Sequence, residues 1–112
     1  MTIKRGDVFW YRFEGSCFSE QDGVRPCVIV SNSKANTHSP VVTIVPLTTA
    51  EKKRLPVHTA IWVNNKRNIV LCEQIVTAPK DRLLGYITSC TRAQMSRIDT
   101  CLRNQLFMDE DC

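Results

Sequence analysis

The sequence predicts a mainly β protein, a small β-barrel of five to seven short strands followed by a C-terminal α-helix. Two patterns predict this class. Runs of β-branched and aromatic residues recur through the first four fifths of the chain, with polar turns between them. The remaining segment carries apolar residues at helical spacing. Short strands with Gly and Pro at their ends suit a sheet that closes on itself.

Six strands are expected along the chain, at 8–13, 25–30, 41–45, 59–63, 69–76 and 85–88. In the fourth, Ile61 and Val63 share one face and Ala60 and Trp62 the other, because side chains alternate along a strand. The polar segments 15–23 and 31–40 indicate loops, 64–68 indicates a turn, and 48–56 indicates a basic connector. We expect the aromatic side chains of the strands and helix to lie mostly in the core.

A helix over 92–107 is expected at the end of the chain. Thr91 and Gln94 are spaced as a capping box, in which each side chain bonds the backbone N–H of the other residue. The apolar residues Met95, Ile98, Leu102 and Leu106 then follow on one face.

Length and composition indicate a single domain over residues 1–112, with 43% hydrophobic and 23% charged residues. The net charge of +4 is compatible with a nucleic-acid partner but does not establish one. No apolar run is long enough to span a membrane, and the N-terminus has no signal-peptide pattern. The expected location is therefore cytoplasmic, without membrane association.

The six cysteines are scattered and form no C-x-x-C pair, so reduced thiols are expected. Cys27 and Cys72 stand in apolar runs and are predicted to be small core residues. His38 and His58 are not at ligand spacing from any cysteine and are each expected at the surface. No metal is expected, and the chain has no nucleotide-binding glycine motif that would indicate a cofactor.

Residues 19–26 (SEQDGVRP) place a charged side chain between a polar loop and an apolar strand. Pro26 biases Arg25 toward an extended backbone at the start of that strand. The planar guanidinium of Arg25 fits a phosphate, but a solvated arginine before a buried strand gives the same pattern. The residues alone leave both interpretations open.

Two further stretches carry polar residues next to strands. Thr48 and Thr49 follow an apolar run, where their hydroxyls can bond backbone groups at a strand end. Glu73 and Gln74 lie inside the predicted strand 69–76, where they can form a buried polar network across the sheet.

Together these stretches resemble the MazF/PemK family of toxin endoribonucleases. The resemblance begins at residues 4–8 (KRGDV) and continues through 19–26 (SEQDGVRP), 46–49 (PLTT), 53–56 (KRLP) and 73–77 (EQIVT). Order and spacing agree from residue 4 to the final helix, so nearly the whole chain is covered. Each motif is weak alone, but their agreement favours catalytic roles for Arg25 and Thr48.

The resemblance implies an SH3-like barrel of the MazF–CcdB type, a homodimer, and a cognate antitoxin partner. It implies metal-independent cleavage of single-stranded RNA, mRNA included, in which the 2′-hydroxyl attacks the adjacent phosphate. The products are a 2′,3′-cyclic phosphate and a 5′-hydroxyl. The family's catalytic residues fall on Arg25 and Thr48, and its RNA-contacting positions include Ser19, Glu20, Gln21 and Gln74. We add Thr49 and Phe18 as RNA-binding candidates.

The chain departs from the family pattern at two positions. Phe18 replaces the usual Gly, and Val76 replaces a basic residue that often follows Glu-Gln-Ile. Phe18 can stack on a base or close the loop against the barrel. Both departures concern the target sequence rather than the chemistry.

In the absence of paired histidines, we expect Arg25 to stabilise the phosphorane and to donate a proton, with Thr48 orienting the phosphate. Neutral guanidine is scarce, which disfavours Arg25 as the general base, and Glu20 is the nearest carboxylate candidate. Two alternatives remain from other classes. A gyrase poison of the CcdB type is disfavoured by the acidic tail without a C-terminal Trp. A non-catalytic SH3-like binding module would need an exposed aromatic groove.

Overall fold

A computed structural model describes residues 2–13 and 23–108. Within them the chain forms seven strands and two α-helices. The strands are β1 (Asp7–Phe13), β2 (Gly23–Ile29), β3 (Val41–Thr48), β4 (His58–Val63), β5 (Lys66–Leu71), β6 (Val76–Pro79) and β7 (Leu83–Ser89). The helices are α1 (Ser33–His38) and α2 (Arg92–Leu106), and 3₁₀ turns occupy Cys72–Gln74 and Lys80–Arg82.

The strands form one antiparallel sheet in the order β4-β5-β3-β2-β1-β7. β6 lies off this path and pairs with residues 41–44 of β3, whereas β5 pairs with residues 47–48 of the same strand. The sheet curls into a half-barrel, and α2 packs against β4 and the 3₁₀ turn Cys72–Gln74. The expected fold, mainly β with a C-terminal helix, is confirmed. None of the helices in the described part of the chain is long and apolar enough to cross a membrane.

The predicted strand 69–76 is interrupted. β5 pairs Leu47 with Val70, whereas β6 pairs Ile44 with Val76, so the register along β3 shifts by three residues between them. The inserted residues are the 3₁₀ turn Cys72–Gln74, which lies opposite Val45 and Pro46. Proline supplies no N–H to a ladder, and a break in pairing beside it is an expected consequence. Glu73 and Gln74 therefore do not lie in mid-strand.

The predicted loop 31–40 contains the short helix α1. The Asn32 side chain caps it by accepting hydrogen bonds from the backbone N–H groups of Lys34 and Ala35. Asn36 is buried, and its amide donates to the backbone oxygens of Ile3 and Ser31. The helix packs through this buried polar side chain rather than through an apolar face. Its sequence therefore shows no apolar periodicity from which a helix could be predicted.

Two core clusters lie on the two faces of the sheet. One joins strands β1 to β5 to Ile98, Cys101 and Leu102 of α2. The other collects side chains such as Phe9, Phe13 and Ile44. Cys27 and Cys72 are both fully buried, which confirms their prediction as core residues.

Most local sequence predictions are confirmed, with small shifts at the boundaries. α2 has the predicted capping box and ends at Leu106, with Phe107 in a left-handed conformation. Ile61 and Val63 are buried while Trp62 is exposed, as the alternation predicted. The predicted turn 64–68 is shorter, because β5 already begins at Lys66.

The expectation that the aromatic residues lie mostly in the core is only half right. Phe9, Tyr11 and Phe13 are buried. Phe18 lies outside the described residues. Four others have exposed side chains, namely Trp10, Trp62, Tyr86 and Phe107. The prediction failed because side chains alternate along a strand, so an aromatic-rich run such as 8–13 places some of its aromatic side chains on the opposite face of the sheet.

Candidate active site

An open cleft of about 520 Å³ lies between β2, the end of β3 and the β4–β5 hairpin. It contains Arg25, Thr48 and Thr49 from the predicted motifs. The hairpin contributes Lys66 and Asn68, and β1 contributes Trp10. The fold thus brings together residues that are far apart in the sequence.

Arg25 reaches the cleft because the β2–β3 ladder carries it there. The ladder ends with Cys27 paired to Pro46, and beyond it both Arg25 of β2 and Thr48 of β3 line the cleft. The Arg25 guanidinium donates from Nη2 to the backbone oxygen of Leu47 at 3.3 Å. It also lies over the Phe13 ring, 5.8 Å from its centroid, in a cation–π contact. These contacts orient the guanidinium at the mouth of β2.

Thr48 is the last residue of β3 and is 7% exposed. Its Oγ1 accepts a hydrogen bond from the Ala50 backbone N–H at 3.1 Å. A threonine hydroxyl can accept and donate at once, and no residue in the described ranges accepts from it. The Thr48 hydroxyl is therefore both fixed by the backbone and able to donate to a ligand.

The charge of the cleft favours an anion. Its charged side chains among the described residues are Arg25 and Lys66, both cations, and it has no carboxylate there. Cations and hydroxyl donors in a concave site suit a phosphate group. Sequence reasoning missed Lys66, which it assigned only to a turn, and also missed Trp10 and Asn68.

The β4–β5 hairpin owes its position to a two-residue turn. Asn64 and Asn65 have φ values of 50° and 64°, which asparagine tolerates better than most residues. Val63 and Lys66 pair directly across this turn. The tight turn brings Lys66 and Asn68 of β5 to the cleft.

The structure places the remaining predicted site residues in two groups. Gln74 does not line the cleft. It lies two residues before Val76, which pairs with Ile44 of β3. Ile44 and Thr48 are four residues apart along β3, about 13 Å at the rise of a strand. The predicted RNA-binding residues Phe18, Ser19, Glu20 and Gln21 lie outside the described residues.

His58 differs from its prediction as a surface residue. Its side chain is 7% exposed, with Nε2 2.7 Å from Glu73 Oε2 and Nδ1 3.2 Å from the Lys53 oxygen. This polar link joins the connector, β4 and the 3₁₀ turn across the sheet, but it does not enter the cleft. His38 is exposed, as expected.

The buried thiols are poor nucleophiles. Loss of hydration raises the pKa of Cys27 and of Cys72 to about 12 and that of Cys90 to about 11. Four cysteines in the described ranges are free thiols. In the same ranges, no three His, Cys, Asp or Glu side chains form a set of metal ligands.

The fold and the cleft together define a small, curled β half-barrel that presents an arginine and a threonine in a cationic cleft. The family comparison is consistent with this. Residues 4–106 match the family described as the PemK-like, MazF-like toxin of type II toxin-antitoxin systems. The chain belongs to that family.

Two curated relatives match over most of their length. Endoribonuclease EndoA of Bacillus subtilis is 33% identical, with 96% of this chain and 97% of the relative covered. Endoribonuclease MazF of Staphylococcus epidermidis is 35% identical, with 89% and 88% covered. The chain is a MazF-type endoribonuclease toxin.

Solved structures agree with this assignment. An endoribonuclease in complex with its cognate antitoxin, from Mycobacterial species, has a TM-score of 0.82 and 29% identity, with 96% of this chain and 97% of that chain covered. MazF from Deinococcus radiodurans also has a TM-score of 0.82, at 18% identity, with 96% and 99% covered. The second likeness concerns the fold alone.

Proposed function

We propose that this toxin cleaves single-stranded RNA, mRNA included, at a short sequence in the cytoplasm and thereby inhibits translation. The observation that carries the proposal is the cleft in which Arg25 stands beside Thr48 with Lys66 as the second cation. A phosphodiester in this cleft meets positive charge and hydroxyl donors. The names of the curated relatives support RNA as the polymer.

The proposed reaction is an internal transesterification. The 2′-oxygen of the ribose attacks the adjacent phosphorus, and the bond from phosphorus to the 5′-oxygen of the next nucleotide breaks. The products are a 2′,3′-cyclic phosphate and a 5′-hydroxyl. Neither a cofactor nor a metal ion enters this scheme.

Arg25 and Thr48 act on the charge that develops on the phosphoryl oxygens. The guanidinium of Arg25 stabilises the phosphorane, since its planar fork matches two phosphoryl oxygens at once. The same group donates a proton to the leaving 5′-oxygen. The Thr48 hydroxyl, held by the Ala50 N–H, orients the phosphate by a hydrogen bond. The proton of the 2′-hydroxyl passes to a base, and the carboxylate assigned to that role is Glu20 of the motif 19–26.

RNA on either side of the scissile phosphate is bound by a larger surface. Thr49 lines the cleft and is assigned to the bound strand. Ser19, Glu20 and Gln21 are assigned to base contacts on the strength of the motif, and Phe18 to stacking. Gln74, in the 3₁₀ turn that follows β5 and outside the cleft, is assigned to a nucleotide further along the strand.

The proposed assembly is a homodimer that a cognate antitoxin neutralises. The structural neighbour solved with its cognate antitoxin supports the partner. Sedimentation equilibrium of the isolated protein should give twice the 12.8 kDa of the chain. A mass of one chain at micromolar concentration would contradict the dimer.

The test of the activity is cleavage of a long natural RNA in EDTA, with mapping of the fragment ends. Wild type should cut at one recurring short motif and leave 5′-hydroxyl ends. Arg25→Ala should cut at least about 100-fold more slowly, because it removes a charged donor to the transition state. Arg92→Ala, which removes an exposed arginine of α2, is the matched control and should retain full rate.

Two results would contradict the proposal. Folded, antitoxin-free wild type that leaves the RNA intact would exclude the activity. Equal rates for wild type and Arg25→Ala would remove Arg25 from the reaction.

A further inference from the structure

Asn68 is a buried polar residue in the wall of the catalytic cleft. It is 3% exposed and stands on β5, opposite Ile61 of β4. Its Nδ2 donates a hydrogen bond to the Lys66 backbone oxygen at 3.0 Å. Its Oδ1 has no hydrogen-bond partner among the described residues and is closed to water.

Exchange of the amide oxygen and nitrogen does not remove this deficit. The exchanged amide would set Oδ1 against the Lys66 carbonyl oxygen and leave the NH₂ group without an acceptor. The orientation in the structure is therefore the better one, and it leaves an unsatisfied acceptor. Such a group destabilises the free protein, so a residue of this kind needs an explanation.

The surroundings of Asn68 suit a nucleobase. The cleft shared by Asn68 and Arg25 has apolar walls that include Pro26 and the 38% exposed indole of Trp10. An exposed aromatic face is a stacking platform for a base of single-stranded RNA. An acceptor in the wall of such a cleft can read a donor on the base edge.

We propose that Asn68 determines part of the cleavage specificity, because its Oδ1 accepts a hydrogen bond from an N–H group on the edge of a nucleobase held in the cleft. Rotation of the amide toward the cleft exposes the oxygen and breaks a single hydrogen bond, that to Lys66. The inference rests on the proposed RNA cleavage and adds a base-reading residue to it. The donor is an amino group of adenine, cytosine or guanine, or an imino group of guanine or uracil.

The first test is the Asn68→Leu variant, which is close in size and removes both polar atoms. Its melting temperature should equal or exceed that of wild type, because an unsatisfied acceptor is lost. Its mapped cleavage sites should lose the preference at one position of the motif. Trp62→Leu, on the exposed outer face of the same hairpin, is the control and should keep the wild-type motif.

The second test changes the RNA at the position that relaxes. A base analogue that lacks the amino group, or that is methylated at the imino nitrogen, should slow wild-type cleavage by about 10- to 100-fold. The same analogue should not slow Asn68→Leu further, because the acceptor is already absent. A slowing of equal size in both proteins would overturn the contact.

The remaining outcomes are distinguishable. An unchanged motif in Asn68→Leu overturns the inference but leaves RNA cleavage intact. A lower melting temperature with an unchanged motif would make Asn68 a structural residue. If the leucine variant does not fold, Asn68→Ala is mapped instead with the same two criteria. If the wild-type protein cuts no RNA, both the proposed function and this inference are contradicted. That result is obtained with wild type alone, so it is distinct from an unchanged motif in Asn68→Leu.

Discussion

Arg25 shows how a single residue is fixed before any ligand binds. Pro26 restricts its backbone to extended conformations, the Leu47 oxygen accepts from Nη2, and the Phe13 ring lies under the guanidinium. An arginine oriented by its own protein loses less freedom when it binds a phosphate, so more of the interaction appears as rate or affinity. The same restraint explains why lysine, a flexible point charge, is not an equivalent at this position.

Thr48 should be essential through its hydroxyl rather than its shape. Thr48→Val keeps the volume but loses both the bond from the Ala50 N–H and the donor to the phosphate. We expect its cleavage rate to fall by about 100-fold, the usual effect of removing one donor to developing charge. Thr48→Ser keeps the hydroxyl and should stay within a few-fold of wild type. Single-turnover cleavage of one oligonucleotide measures both, and equal loss in the two variants would contradict a role for the hydroxyl.

The buried thiols should make the protein sensitive to alkali. Burial raises the pKa of Cys27 and of Cys72 to about 12, above the ordinary thiol value of about 9 that applies in the unfolded chain. The native state therefore binds more protons than the unfolded state between these values, and stability is complete below about pH 9 and is lost as the pH rises toward 12. The melting temperature, measured from pH 7.5 to 10.5, should fall above pH 9.

The matched control is a variant with both thiols removed, Cys27→Ala with Cys72→Ala. Lysine and tyrosine side chains also titrate in this range, so the comparison concerns the slope and not the absolute melting temperature. The slope above pH 9 should be shallower in the double variant. Equal slopes would show that the two thiols do not contribute.

At the scale of elements, the β4–β5 hairpin is the part that completes the cleft. It adds Lys66 and Asn68 to a site whose motif residues come from β2 and β3. Its turn residues Asn64 and Asn65 both have positive φ. The conformation of this turn therefore sets where the second cation stands.

Substitutions at Asn65 should change stability according to backbone preference. Asn65→Gly suits a φ of 64° and should leave the free energy of unfolding equal or slightly higher. Asn65→Val forces a β-branched residue into that conformation and should lower it by about 1–2 kcal/mol. Urea unfolding measures both. A destabilised glycine variant with an unaffected valine variant would contradict the assigned turn.

Local patterns predicted the elements whose cause is local. The capping box and the apolar spacing predicted α2, and alternation predicted the faces of β4, because each depends on neighbours a few residues away. The three-residue insertion at Cys72–Gln74 was not predictable in this way, since its cause is the pairing of β5 and β6 with different parts of β3. The helix α1 was not predicted for a related reason, because its position depends on the hydrogen bond from Asn36 to the backbone oxygen of the distant Ile3.

The residues of the candidate site also fall into those that a local motif predicts and those that only tertiary contacts bring to the cleft. Arg25 and Thr48 were predicted because they belong to motifs that resemble a family, and the register of β2 with β3 brings them together. Lys66 and Asn68 carry no motif, and only the contact between the hairpin and β3 places them in the cleft. Residues without a motif are harder to predict, because only tertiary contacts bring them to the cleft.

At the scale of the whole molecule, α2 closes one face of the curled sheet. Ile98 is fully buried in a cluster that includes Val8 of β1, Val45 of β3 and Val70 of β5. The helix is also tied to the N-terminal segment by the Arg5–Asp99 ion pair and to the connector by the Asn104 bond to the Pro56 oxygen. Because α2 shares one buried cluster with strands β1 to β5, the sheet and α2 should unfold together.

Ile98→Ala tests this cooperativity. It removes a side chain with no exposure from the centre of the cluster, so we expect the free energy of unfolding to fall by about 2–5 kcal/mol. Leu106→Ala on the same helix, where the side chain is 51% exposed, should cost much less. Far-ultraviolet circular dichroism and the fluorescence of Trp10 and Trp62 should report the same shifted midpoint, since helix and sheet share one core. Separate midpoints for the two signals would show that α2 detaches first, and the cleft would then depend on the sheet alone.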